Sequence, residues 1–425
     1  MKFDTEEQES LAFVGKHSGL VSFSLILSRL LRFAFIVLLV RSVGPTFFGV
    51  YAAMVSYILI VAPISTFGYQ HLFVQHLARK EPLPSPLFTS GFLLAILGAL
   101  GFGLIGTLGF RFFIQLPLSW GIIFLFIATE IWSSGTRELF KGIFQGFHRF
   151  PVLSLTVFLA IPIVRVMVLV ALMLFAQSVT LSQLILVLAP IQILLIIILF
   201  FLYVPKHLFG FATDFKRIPE GIYYSVATLS NEVYGNVDKL MLSKLGTMEV
   251  VGYYTVAFRL VRYLFTPVVA VLTVLYPIFF RRGQQGLKNT FSLGLRVSFG
   301  TLAYALVLVF GVFVTADWVT RLIFGHPVPT AAGVMKILSW ILVFKAFSHG
   351  VGDALTGAGY QKQRTYILIG AVVLNFVLNL LLIPLYGAYG AAWASVVSEG
   401  LLTAGILGFA MKIQHGTTPG EGLTG

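Results

Sequence analysis

Residues 230–262 read SNEVYGNVDKLMLSKLGTMEVVGYYTVAFRLVR, and the fold turns on them. The stretch starts inside one apolar segment with Asn231 and Glu232. It crosses a polar bend carrying Asp238, Lys239, Lys244 and Glu249, then enters a second apolar segment. That segment holds Arg259 and Arg262, three residues apart and so on one helix face. Charges inside apolar spans are costly, roughly 2.5–3.5 kcal/mol for an arginine at bilayer depth. A wet, functional cavity is the usual offset.

Outward from this stretch the chain is of one kind. Of its 425 residues, 58% are hydrophobic and 11% charged, where a soluble domain carries about 25% charged residues. That composition defines a polytopic membrane protein. The absence of cysteine excludes disulfides, thiol nucleophiles and Cys-ligated metals. The net charge of +13 is not gathered in one basic tail, so no nucleic-acid arm is expected. The N-terminus, MKFDTEEQES, lacks the basic region and cleavage site of a signal peptide, so the first apolar span is expected to stay in the membrane.

A spanning helix needs about 20 mostly apolar residues. Twelve segments qualify: 18–40, 46–69, 86–109, 117–137, 151–176, 181–204, 218–241, 248–280, 288–315, 331–351, 364–384 and 388–411. With the N-terminus inside, sixteen Lys and Arg fall at cytoplasmic positions, among them Lys2, Arg79, Lys80, Arg137 and Arg217. Five fall outside: Arg41, Arg111, Lys239, Lys244 and Arg321. The positive-inside rule then predicts that both termini are cytoplasmic. The expected organisation is a tail (1–17), a first six-helix lobe (18–204), a cytoplasmic linker (205–217), a second lobe (218–411) and a tail (412–425). No connection is long enough for a soluble catalytic domain.

The halves read as repeats. Arg41-Ser-Val-Gly44-Pro-Thr-Phe-Phe-Gly49-Val-Tyr51 resembles Lys244-Leu-Gly246-Thr-Met-Glu-Val-Val-Gly252-Tyr-Tyr254, with one residue inserted between the glycines. Glu138, Gly142 and Arg149 share their spacing with Asp353, Gly357 and Arg364, at an offset of 215. On that register the first-half counterpart of His349 is Ser134, so the His349–Asp353 spacing is not read as a metal site. Six spans per half give both halves the same orientation.

The candidate site follows from the charges. Arg29 and Arg32 sit in the middle of the first span, Arg165 in the fifth, and Arg259 and Arg262 in the eighth. The rival account is internal pairing with Glu130, Glu232 and Glu399. Lys336 and Lys345 add further bases, and three acids are too few. A cationic cavity for an anionic substrate is the stronger reading, and arginine suits phosphate by its bidentate donors. Glu232 and Asp238 are the ion-coupling candidates; Glu232 could equally neutralise an arginine, and Asp238 is expected to lie solvated near the outer interface. Glu138 with Arg149 and Asp353 with Arg364 are read as a gate latch or a loop brace at the cytoplasmic ends. The glycines of the third span, Gly98 to Gly109, are read as packing sites, and Pro63, Pro162, Pro190 and Pro267 as helix bends.

There is no G-x-x-x-x-G-K-[ST] phosphate loop, no Asp-x-Asp pair and no H-E-x-x-H. No cofactor or metal is expected, and a membrane glycosyltransferase, ligase or polymerase is poorly supported. RSVGPTFFGVY at 41–51, the 238–254 stretch leading into Arg259, and Gly357–Gly390 with Asn375, Asn379, Pro384 and Gly387 resemble the polysaccharide-biosynthesis, oligosaccharide-lipid flippases of the MATE-like exporter superfamily. The resemblance implies an all-α fold of two six-helix lobes and a central cavity lined by the first two spans of each. That would place Arg29, Arg32, Arg259, Arg262 and Glu232 in or near it. It further implies a polyprenyl-diphosphate-linked oligosaccharide as substrate and a prokaryotic cell (inner) membrane as location. Membrane lipids, polysaccharide-assembly enzymes and a proton or sodium gradient are the partners it implies. A multidrug or cation antiporter of the same superfamily is the alternative, but a cationic drug would favour an acidic cavity.

Overall fold

A computed structural model describes residues 5–78, 82–283 and 286–416. Lys2, Arg79 and Lys80 of the charge tally, and tail residues 417–425, lie outside these. The described residues are almost wholly helical and contain no strand. In chain order the elements are α1 (Thr5–Ser65), α2 (Tyr69–Ala78), α3 (Ser85–Gly109), α4 (Trp120–Gly146), α5 (Phe150–Leu153), α6 (Ala160–Phe175) and α7 (Leu181–Tyr203). They continue as α8 (Ile218–Leu245), α9 (Met248–Leu264), α10 (Thr266–Gly283), α11 (Leu287–Phe324), α12 (Pro329–Gly357), α13 (Gln361–Tyr386) and α14 (Ala388–Gly416). Between α5 and α6 the backbone is π-helical over Ser154–Leu159.

Helices occupy all twelve apolar segments, and among the described residues eight helical stretches are long and apolar enough to cross a membrane. The first of these, Leu20–Ser65, has 46 residues, about 69 Å of helix at 1.5 Å per residue. It is broken at Gly44, whose φ of 78° suits glycine. α4 and α8 are too polar to count among the eight, and their charges form the site described below. The segment expected to run unbroken over 248–280 is interrupted at Phe265, two residues before Pro267, whose missing N–H and fixed φ favour a helix start.

The chain forms two compact units, Met1–Glu232 and Val233–Gly425. In the first, α4 is central and packs against α1, α2, α3 and α7. Its core includes a cluster of rings, with centroids 4.7 Å apart for Phe88 and Phe92, 4.9 Å for Phe92 and Phe200, and 5.4 Å for Phe200 and Phe209. Phe209 belongs to the polar linker, which is tied to this unit along its length. Ser85 Oγ donates to the Leu208 carbonyl (3.0 Å), Thr89 Oγ1 to that of Gly210 (2.9 Å), and Tyr69 Oη to that of Asp214 (2.6 Å). The division between the units therefore falls at Glu232, within α8, and not in the linker. In the second unit α12 is central, against α9, α10, α11 and α14, over a core of Val351, Leu355, Ala371, Leu402 and Ile406.

The structure changes the register of the repeat. After the bend, helix resumes at Pro45 in the first unit and at Met248 in the second, where the Thr247 side chain caps it. Gly44 therefore matches Thr247, and no inserted residue is needed. At the other turn, Phe147, His148 and Arg149 donate their N–H groups to the carbonyls of Ile143, Gln145 and Phe144. Ala358, Gly359 and Tyr360 donate in the same pattern to Ala354, Thr356 and Leu355. The offset there is 211, not 215. On that register Glu138 matches His349, and Asp353 matches Gly142. Glycine and arginine recur often enough in apolar sequence to imitate a spacing, but the hydrogen-bonded turn fixes it.

Of the third-span glycines, Gly98, Gly103 and Gly106 lie tight against Ser65, Ala128 and Tyr57, whereas Gly101 and Gly109 have open space beside them.

Candidate functional site

In the first unit the candidate site residues lie on α1, α4 and α6. Arg29 is half-buried and Arg32 exposed on α1, and both are engaged by neighbours. Arg165, from α6, forms an ion pair with Glu130 of α4, and Gln192 Nε2 donates to the other oxygen of that carboxylate at 3.2 Å. The paired account thus describes Arg165. Glu130 is 8% exposed and Gln192 1%, so the group is interior. Arg137, counted on sequence grounds as a cytoplasmic charge, lies within electrostatic range of Arg32, Arg165 and Glu130. Its guanidinium bonds the Ser133 carbonyl and the Ser134 hydroxyl, each at 3.2 Å. Sequence reasoning passed over Arg137 because it sits near the end of an apolar run; its place at i+7 from Glu130 was the available signal.

In the second unit one group of candidate site residues lies on α8 and α9. Asp238 was expected to be solvated near the outer interface; it is 1% exposed. Lys239, counted in an outer connection, is 2% exposed and lies inside α8. Adjacent opposite charges account for both corrections. Lys239 Nζ lies 2.9 Å from Asp238 Oδ1 and 2.7 Å from the Gly235 carbonyl, so the pair is neutralised and α8 runs on to Leu245. Tyr254 Oη donates to Asp238 Oδ2 at 2.5 Å and lies 3.3 Å from Ser395 Oγ. The ammonium also stands 3.5 Å over the Phe258 ring, a favourable cation–π geometry. Arg259 and Arg262 both act electrostatically on Lys239, and Arg262 lies beside Gly235. Arg259 is half-buried and Arg262 exposed.

A second buried acid of this unit, Glu399 (3% exposed), accepts from Tyr234 Oη at 3.2 Å and Ser348 Oγ at 3.5 Å. Lys345 supplies the opposing charge. Glu232, half-buried at the end of the first unit, is engaged by a neighbour. Of the latch residues, Asp353 pairs with Arg364 at 3.0 Å, and Thr356 Oγ1 accepts from the same guanidinium nitrogen at 2.8 Å. Glu138 pairs with Lys141 at 3.3 Å instead of with Arg149, which caps α5 and is exposed. The 211-residue register explains this asymmetry, since Arg149 matches Tyr360. His349 packs on Phe265, with centroids 5.5 Å apart.

Outside the spans, α2 carries one shifted group. Burial lowers the His71 imidazole below its ordinary value, with Glu138 opposing.

Known proteins fit this picture. The family model for polysaccharide biosynthesis protein matches residues 14–282, well over half of the chain, and the MatE model matches residues 224–381. The chain belongs to the polysaccharide biosynthesis protein family, and its fold is that of MATE-like transporters. An uncharacterised membrane protein of Methanocaldococcus jannaschii is 27% identical over 181 residues, 41% of this chain and 35% of that one. The probable low-salt glycan biosynthesis flippase Agl15 of Haloferax volcanii is 25% identical over 185 residues, 43% of this chain and 39% of that one. The matched stretches thus span less than two-fifths of these two relatives' length. Among solved structures, an inward-facing multidrug resistance MATE family transporter of the MOP superfamily aligns at TM-score 0.70 and 13% identity, over 91% of this chain and 95% of that one. The lipid II flippase MurJ, inward closed, aligns at TM-score 0.71 and 15% identity, over 92% and 87%. At such identities the likeness is one of fold.

Proposed function

We propose that this protein is a secondary transporter that moves a polyprenyl-diphosphate-linked oligosaccharide from the cytoplasmic to the outer leaflet of a prokaryotic cell membrane, for cell-surface polysaccharide assembly. The observation that carries the reading is the excess of arginine over acid at the candidate site: Arg29, Arg32, Arg137 and Arg165 in one unit, Arg259 and Arg262 in the other. Guanidinium forks match the oxygens of a diphosphate, while a cationic drug would be repelled. Family membership and the named glycan flippase among the relatives support the same substrate class. The chain crosses the membrane twelve times with both ends inside, and alternating access drives transfer, with Glu232 as the carboxylate for ion coupling. An impermeant thiol reagent, with single cysteines introduced near Arg217 and Arg111, should label only the second from outside. Labelling near Arg217 would reverse the orientation.

The test of function is translocation in liposomes of a lipid-linked glycan, compared between the wild type and variants of Arg29, Arg32, Arg259 and Arg262. A charge-assisted hydrogen bond contributes roughly 1.5–3 kcal/mol, so each alanine should weaken binding on the order of tenfold or more. Lysine should restore it only in part. Intact diphosphate-lipid binding after alanine at all four positions would assign these arginines to structure. Release of free diphosphate or a lengthened glycan would favour an enzyme.

A further inference from the structure

Glu130, Ser133 and Arg137 stand at i, i+3 and i+7 on α4 and share one face. Arg165 of α6 and Gln192 of α7 close on this face through the Glu130 carboxylate, and Arg32 of α1 lies within electrostatic range of Arg137. Three guanidinium groups here meet one interior carboxylate, Glu130, while Glu138, half-exposed and paired with Lys141, acts on Arg137 from the rim. The polar atoms are not all used. Arg165 Nε, Gln192 Oε1 and Ser133 Oγ are buried without a hydrogen-bond partner, and Ser133 is 0% exposed. A buried donor or acceptor left unsatisfied is costly. Three such atoms around one carboxylate mark a place built for something more.

We propose that this cluster is an anion site in the first unit whose resident competitor is Glu130: without ligand the carboxylate occupies Arg165, and an entering diphosphate displaces it and bridges Arg165 and Arg137. The proposal deepens the flippase reading and rests on it. A single carboxylate neutralises one guanidinium. A diphosphate, with two phosphoryl groups and more charge, matches two forks at once. Ser133 Oγ and Arg165 Nε are then donors in waiting, and Gln192 retains the displaced carboxylate. Built-in competition also limits affinity, which favours release on the far side. Glu130 is thus a specificity-determining residue that acts through Arg165.

The experiment measures binding of inorganic pyrophosphate and of a short-chain polyprenyl diphosphate to the full-length protein in detergent, by titration calorimetry. Glu130→Gln keeps the side chain's shape and removes its charge. A buried cation left without its carboxylate favours a new anionic partner, so this variant should bind the diphosphate at least about tenfold tighter than wild type. The double change Glu130→Gln with Arg165→Gln should lose the gain. Glu130→Asp, which withdraws the carboxylate from Arg165, should tighten binding to a lesser degree and serves if the glutamine variant does not fold. A gain for the polyprenyl probe alone identifies a lipid-linked ligand, and an equal gain for both probes identifies the diphosphate group itself. Unchanged or weaker binding in folded Glu130 variants makes Glu130 a brace and overturns the proposal. In that event, liposomes in which the wild type translocates the lipid-linked glycan still leave the transport reading standing.

Discussion

The two units solve the same helix–bend–helix problem with arginine placed on opposite members of the pair. Arg41 and Lys244, Gly49 and Gly252, and Tyr51 and Tyr254 are each 203 residues apart. On that register Arg29 and Arg32 correspond to Glu232 and Gly235, while Arg259 and Arg262 correspond to Ser56 and Leu59. The first unit puts its arginines before the bend and the second puts them after it. The buried Asp238–Lys239 pair has as its counterpart Phe35–Ile36, both within the apolar core. Tyr51 accordingly packs on the Phe35 ring at 6.0 Å, where Tyr254 hydrogen-bonds Asp238. One scaffold therefore accepts either a salt-bridged or a greasy filling at the same level. The choice is chemical, not architectural.

Lys239→Ile removes the positive half of the second unit's buried pair. It should cost about 3–5 kcal/mol, because Asp238 is left charged and buried without its partner. The double change Asp238→Phe with Lys239→Ile, which installs the first unit's residues, should recover most of that loss. Thermal unfolding in detergent reads both. A double variant no more stable than the single one would show that the two fillings are not interchangeable. A smaller effect is expected at the cytoplasmic turns. Arg364→Leu strands the Asp353 carboxylate, which is 7% exposed, and should cost about 1–3 kcal/mol. Arg149→Leu should stay within about 0.5 kcal/mol, and equal losses would restore the 215-residue register. The smallest effect concerns His71 of α2. Its lowered value means that the unfolded chain takes up a proton first on acidification, so its contribution falls as pH drops through 6.5 and below. His71→Gln should flatten stability between about pH 7 and pH 5 relative to wild type, and an unchanged slope would clear His71 of that role.

Much of the fold was legible because membrane crossing demands length and apolarity, which segments such as 86–109 and 181–204 display in plain sequence. The site was legible as a charge imbalance, and Arg29, Arg32, Arg259 and Arg262 stood out for that reason. Its partners were not. Glu130 and Arg165 are 35 residues apart, and nothing local says that α4 and α6 meet there. Asp238 and Lys239 looked like a polar bend because neighbouring opposite charges usually mark water, and only tertiary burial makes them an interior pair. Repeat register failed for a related reason: spacings of Gly and Arg are cheap to match, and backbone hydrogen bonds are invisible in a string of letters.

The π-helical stretch Ser154–Leu159 carries a consequence for Arg165. A turn bonded from i to i+5 takes about one residue more than an α-turn, and each residue of α-helix advances about 100° around the axis. Arg165 follows this stretch by only a few positions. Were the stretch to tighten into ordinary α-helix, everything beyond it would swing by roughly a quarter-turn, and the guanidinium would point away from Glu130. The aim of that arginine is thus set like a combination lock, by counting residues along the helix, and an insertion or deletion of one residue upstream would reset it without touching a single charged group.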